Sequence, residues 1–71
     1  MFIIIEMQKD QSGNVAITPA IQREDENEAY SEYFRVASIA AVSSVPRHSV
    51  ILLEDNGFPR EFKSFEHQIY E

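Results

Sequence analysis

The chain predicts an α+β fold of order ββαββ: a four-stranded antiparallel sheet with one helix packed on one face. Three observations carry this. Two strongly apolar, β-favouring runs stand at residues 2–7 and 48–54. One long amphipathic stretch, residues 24–44, lies between them. Turn-forming residues follow each apolar run, from Lys9 to Asn14 and again at Asp55, Asn56 and Gly57.

The first run carries three consecutive isoleucines, Ile3, Ile4 and Ile5, and is apolar almost throughout. Such a run suits the middle of a sheet, with both faces at least partly covered. Beyond the turn, Val15, Ile17, Pro19 and Ile21 alternate with Ala16, Thr18 and Ala20, a period of two. Pro19 has no N–H for a ladder, so this second strand belongs on an edge or ends there. The two runs form a hairpin.

Residues 24–44 read as a helix, about 30 Å long. Asp25 stands at the N-cap and Glu28 three residues on, where a capping box places its acid. Glu24, Asp25, Glu26 and Glu28 set negative charge against the positive end of the helix dipole. Tyr30, Tyr33, Phe34, Ala37, Ala41 and Ser44 follow the rhythm of one buried face. Glu28, Glu32 and Arg35 lie opposite, and Glu32 with Arg35 makes an i, i+3 ion pair. Toward the C-terminus the stripe broadens through Val36, Ile39, Ala40 and Val42, and the alanines let a sheet approach closely. Pro46 forbids continuation and biases Val45 toward an extended conformation.

Residues 48–54 give the third strand, centred on Val50, Ile51, Leu52 and Leu53. Asn56-Gly57 then signals a tight hairpin of type I′, which needs positive φ at both positions. The return strand, residues 60–67, mixes Phe62 and Phe65 with Arg60, Glu61, Lys63 and Glu66, the pattern of an edge strand guarded by charge. The tail, residues 68–71, is expected to fray, with Ile69 and Tyr70 apolar enough to dock. Placing the two most apolar strands centrally gives the spatial order 2-1-3-4. The order 1-2-4-3 ranks second, because it puts apolar strands on the edges.

A chain of 71 residues makes one domain, residues 1–71, with one core. Its acidic residues outnumber basic ones 12 to 6, for a net charge of -6, so direct nucleic-acid binding is disfavoured by phosphate repulsion. The acid excess reads first as solubility. Cysteine is absent, which excludes a disulfide framework and thiolate metal sites. No run reaches the roughly 20 apolar residues of a membrane span, and the opening residues lack the features of a signal peptide. A soluble, cytoplasmic protein is the expectation.

One helix leaves one face of the sheet without cover. That face must carry one alternation of the first strand, either Phe2 and Ile4 or Ile3, Ile5 and Met7. The same holds for Val50 and Leu52 against Ile51 and Leu53. A contiguous exposed apolar patch marks an interface, so a partner protein or a second copy of the chain is expected there. The competing arrangement is a curled sheet over which its own aromatics, Ile69 and Tyr70 fold.

Residue types with chemistry are sparse. His48 and His67 are the two histidines, and neither has metal-ligand spacing to further donors. Glu66 and His67 point to opposite faces of a strand. His48 stands near Ser43 and Ser44 in sequence, but no nucleophile elbow accompanies them. Serines before a proline read more simply as a helix stop, and a histidine there as a cap on the last carbonyls. Two glycines exclude a phosphate-cradling loop. Tyr30 and Tyr33 read as core rather than base-stacking residues. The acids at the helix start lack calcium-loop spacing. No catalytic, cofactor-binding or metal-ligating residue is therefore assigned, no cofactor is expected, and an enzyme built on His48 and a serine ranks last.

From Ala40 the chain reads Ala-Ala-Val-Ser-Ser-Val-Pro, then His48-Ser49, and later Lys63-Ser64-Phe65-Glu66-His67. This resembles a family of short uncharacterised proteins from anaerobic gut bacteria and their prophages and other mobile elements. The resemblance covers most of the second half and, more loosely, the first hairpin. Arg47 stands where that pattern has an apolar residue, and Phe58-Pro59 departs from its turn. The resemblance implies a bacterial or prophage setting and no activity.

The sequence thus points to a non-enzymatic protein-interaction module or homo-oligomer using the uncovered sheet face. The alternative is a small acidic inhibitor or nucleic-acid mimic from a mobile element, presenting Glu24, Asp25, Glu26, Glu28 and Glu32 to a basic cleft.

Overall fold

A computed structural model of the protein describes residues 1–67. The expectations for Ile69 and Tyr70 fall outside that range. The elements run β1 (Phe2–Lys9), β2 (Val15–Ile17), β3 (Ile21–Arg23), α1 (Glu26–Ala41), β4 (Arg47–Glu54) and β5 (Pro59–Glu66). The class is α+β, with one helix on an antiparallel sheet.

Five strands stand where four were expected: the path β2-β1-β4-β5, with β3 also paired to β1, replaces the four-strand path 2-1-3-4, whose second strand is divided. The second run supplies the extra strand. It breaks at Thr18-Pro19-Ala20, and its two halves, β2 and β3, each pair with β1. Pro19 cannot donate to the ladder. Thr18 bridges the gap: its N–H donates to the Glu6 carbonyl at 2.9 Å, and its Oγ1 lies 3.3 Å from both the Glu6 N–H and that carbonyl. The two most apolar runs are β1 and β4, which pair along their whole length from Phe2↔Glu54 to Lys9↔Arg47.

Both hairpin turns use one device. The Gly13 N–H donates to the Asp10 carbonyl at 3.1 Å, and the Gly57 N–H to the Glu54 carbonyl at 2.9 Å. Each glycine has positive φ, 88° and 90°, and among the described residues no other residue type does. Asn56 therefore does not take the positive φ of the expected type I′ turn. A three-residue loop ending in a left-handed glycine replaces it, and here Gly is needed. Asp10 organises the first turn further, its Oδ1 accepting from the N–H groups of Ser12 and Asn14, both at 2.9 Å. The Asn14 N–H, foremost among these donors, holds the Asp10 carboxyl below its usual range.

The helix is shorter than residues 24–44 at both ends. Asp25 caps it as expected, its Oδ2 accepting from the Glu28 N–H at 2.9 Å. At the other end the last turn tightens. Val42 N–H donates to Ile39 O and Ser43 N–H to Ala40 O, both at 3.2 Å, and Ser43 Oγ then accepts from the Val45 N–H. Such local bonds satisfy orphan carbonyls without extending the helix.

The buried helix face is Ala29, Tyr33, Val36 and Ala40, rather than the stripe through Phe34, Ala41 and Ser44. Phe34 is 61% exposed. Alanine at positions 29 and 40 brings the helix axis close to the sheet, and the bulky Tyr30 and Phe34 fall to its flank. The core is Ile4, Val50 and Leu52 from the sheet against those four helix residues, edged by Phe2, Ile21, Tyr30, Ala37 and Phe65.

Candidate protein-binding face

Strand alternation, with Ile4, His48, Val50 and Leu52 under the helix, sends the odd-numbered residues of β1 and β4 to the other face. The ladders align these side chains in rows. Gln22, Ile3 and Leu53 form one, and Ile5, Ile51 and Phe62 the next. Ile17, Met7, Ser49 and Ser64 follow, then Val15, Lys9, Arg47 and Glu66. The expected pair of alternatives is thereby resolved: Ile3, Ile5 and Met7 with Ile51 and Leu53 lie on the side away from the helix.

Ile17 is 64% exposed and Phe62 61%, while the five residues between them in β1 and β4 are half-buried by one another. No described element packs on this face; every contact of α1 is with the strands through its opposite side. Besides Gln22 and Lys9, two paired polar features sit within it. The Ser49 and Ser64 hydroxyls are hydrogen-bonded at 3.1 Å across β4 and β5, and Arg47 pairs with Glu66 at one end.

Acidic charge collects elsewhere. Asp10 and Glu54 lie at the turns, and Glu24, Glu26 and Glu28 at the helix start. Glu26 is bound by the Arg60 guanidinium at 2.6 Å, and Glu32 by Arg35 at 2.7 Å with Arg23 at 3.7 Å. Arg60 also lies over the Phe2 and Tyr30 rings, 5.5 and 5.9 Å from their centroids. The Glu26 carboxylate raises its basicity, and the Arg35 guanidinium lowers the Glu32 carboxyl.

The histidines do different work from what their sequence positions suggest. His67, not His48, caps the helix: its Nε2 donates to the Ala40 carbonyl at 2.9 Å, while its own N–H bonds the Pro46 carbonyl at 2.7 Å. His48 lies 3% exposed beneath the helix, with Nε2 2.7 Å from Oε2 of Glu6. Neither ring nitrogen has a hydrogen-bond partner among the described residues. The structure brings no serine hydroxyl to it. This buried acid–histidine contact was not read from the sequence. Its one signal is Glu6, a carboxylate inside an apolar strand.

Tyr33 is core and Tyr30 lines its edge. Among the described residues no group of three histidine, aspartate or glutamate side chains converges as a metal site. Depressions of about 520 and 240 Å³ lie beside the first turn and beside the break at Pro19. The first is walled largely by turn and loop residues such as Gln11, Ser12 and Ser44. No helix among the described residues is long and apolar enough to cross a membrane.

No protein-family model, curated protein or solved structure matches the chain.

Proposed function

We propose that the protein is a non-enzymatic, self-associating module of the bacterial cytoplasm, whose face opposite the helix packs on the same face of a second copy. The apolar rows built by Ile3, Ile5, Met7, Ile17, Ile51 and Phe62 carry this reading. Two sheets with apolar faces pack about 10 Å apart with aligned strands. Strands of about eight residues, four abreast, give a footprint of about 500 Å² per copy. The pair would bury about 1,000 Å², the lower bound for a specific interface. Charge favours a second copy as well. The chain is strongly acidic, but its carboxylates stand mainly on the helix side and the turns, so two copies meet without opposing those charges.

The acidic-inhibitor reading ranks below this one, because arginines already hold Glu26 and Glu32. Without cysteine and with a face suited to association, nothing in the composition requires an oxidising compartment.

The test is solution mass by light scattering across a wide concentration range. A dimer with a roughly micromolar dissociation constant is expected. Ile51→Lys, with its circular dichroism spectrum unchanged, is expected to be monomeric throughout. A wild-type monomer at several hundred micromolar, about a hundredfold above that constant, overturns the proposal.

A further inference from the structure

Asn56 and Gly57 stand in the second turn, and the face away from the helix makes no use of them. Residues 55–59 are exposed around the pair. An asparagine followed by glycine carries its own chemistry. The glycine backbone nitrogen, on losing its proton, attacks Cγ of the asparagine side chain. A cyclic imide forms as that C–N bond closes, and the side-chain nitrogen leaves as ammonia. Water then opens the ring at either carbonyl. The product is an aspartate, or a β-linked aspartate with an extra carbon in the backbone. Glycine permits the attack because no Cβ shields its nitrogen.

The other asparagines are placed differently. Asn14 precedes Val15, whose branched side chain crowds the nitrogen, and Asn27 precedes Glu28 inside α1. The Glu28 N–H is already given to the Asp25 cap. At Gly57, among the described residues, nothing lies within 4 Å of where a Cβ would stand, so no wall surrounds the reacting pair.

The turn nevertheless restrains both reacting groups. The Gly57 N–H donates to the Glu54 carbonyl at 2.9 Å, which holds the proton that must leave. Asn56 Oδ1 accepts from the Phe58 N–H at 3.0 Å, which fixes the side chain. The Glu54 N–H donates to the Phe58 carbonyl at 2.9 Å and closes the loop. Attack requires the Gly57 bond broken and the Asn56 side chain turned, so it waits on local opening of the hairpin.

We propose that Asn56 is the chain's site of spontaneous amide loss and that the β4–β5 turn gates it, so that conversion records how long the hairpin has stood open. Conversion sets a third carboxylate beside Glu54 and Asp55 or, in the β-linked product, lengthens the loop that Gly57 closes.

The experiment incubates the intact chain at mildly alkaline pH, folded in buffer and unfolded in urea, and follows each asparagine by peptide mass spectrometry. Asn56 is expected to convert about tenfold more slowly in the folded chain, since a turn held by a few hydrogen bonds must open first. In urea it is expected to outpace Asn14 and Asn27. Gly57→Ala, measured in urea so that the positive φ of the folded turn plays no part, is expected to slow conversion several-fold. Equal rates in folded and unfolded chains overturn the gate. Asn14 or Asn27 keeping pace in urea overturns the site. An unchanged rate in Gly57→Ala means direct hydrolysis of the amide and overturns attack by the residue 57 nitrogen.

Discussion

Nε2 of His48 lies 2.7 Å from Oε2 of Glu6, on neighbouring central strands beneath the helix. The Glu6 side chain is 14% exposed and its other oxygen accepts from Gln8 Nε2 at 3.1 Å. An ionisable pair this deep in so small a core depends on mutual contact most for His48, whose ring nitrogens have no hydrogen bond, whereas Glu6 keeps Gln8 as a partner.

His48→Leu alone is expected to cost about 2–3 kcal/mol, below the full figure for breaking a buried pair because Glu6 keeps some water and Gln8. That is a large part of the roughly 3–5 kcal/mol a core of this size supplies. Glu6→Leu/His48→Leu is expected to cost less than the sum of the single changes. Urea denaturation of the four proteins measures the coupling, and strict additivity would show that the contact contributes nothing.

Burial pushes the Tyr33 hydroxyl up from its ordinary value, with the Glu61 carboxylate adding to the effect. The folded chain therefore keeps this proton to higher pH than the unfolded chain. The stability it contributes is intact below about pH 10, the unfolded value, and is lost as pH rises through the folded one. Wild type is expected to lose stability between pH 9 and 11 in urea titrations, and Tyr33→Phe to lose distinctly less. Equal losses in the two proteins would assign the alkaline transition to other groups.

Ala40 is fully buried where the helix meets the sheet. Ala40→Leu is expected to destabilise by about 1–3 kcal/mol, because the added atoms must push α1 off Val50 and its neighbours. Ala41→Leu, one position on and exposed, is expected to change stability by less than about 0.5 kcal/mol. Thermal unfolding of the pair checks the helix rotation directly: a larger cost at 41 than at 40 would restore the stripe read from periodicity.

That contrast shows where the sequence stops being legible. Periodicity placed one helix between Asp25 and Pro46, and Asp25 does cap it. It chose the stripe through Tyr30, Tyr33, Phe34, Ala37 and Ala41, of which Tyr33 is buried, although Ala29-Tyr33-Val36-Ala40 is equally apolar at helical spacing. Close approach to the sheet chose the smaller residues. Likewise Gly57 marked a turn, but loop length and the absence of positive φ at Asn56 came from the ladder's own register.

Local chemistry by itself determined the α+β class, the apolar runs that became β1 and β4, the helix start, and a sheet face on which no described element packs. Those features depend on spacing and backbone propensity within a few residues. Tertiary structure alone decided that the second run resumes beyond Pro19 as β3 on β1, that His67 rather than His48 caps the helix, that Glu6 and His48 meet, and that Ile3, Ile5 and Ile51 rather than Ile4, Val50 and Leu52 lie on the face away from the helix. Each of these joins residues far apart in the chain, and strand alternation is symmetric until a helix commits to one side.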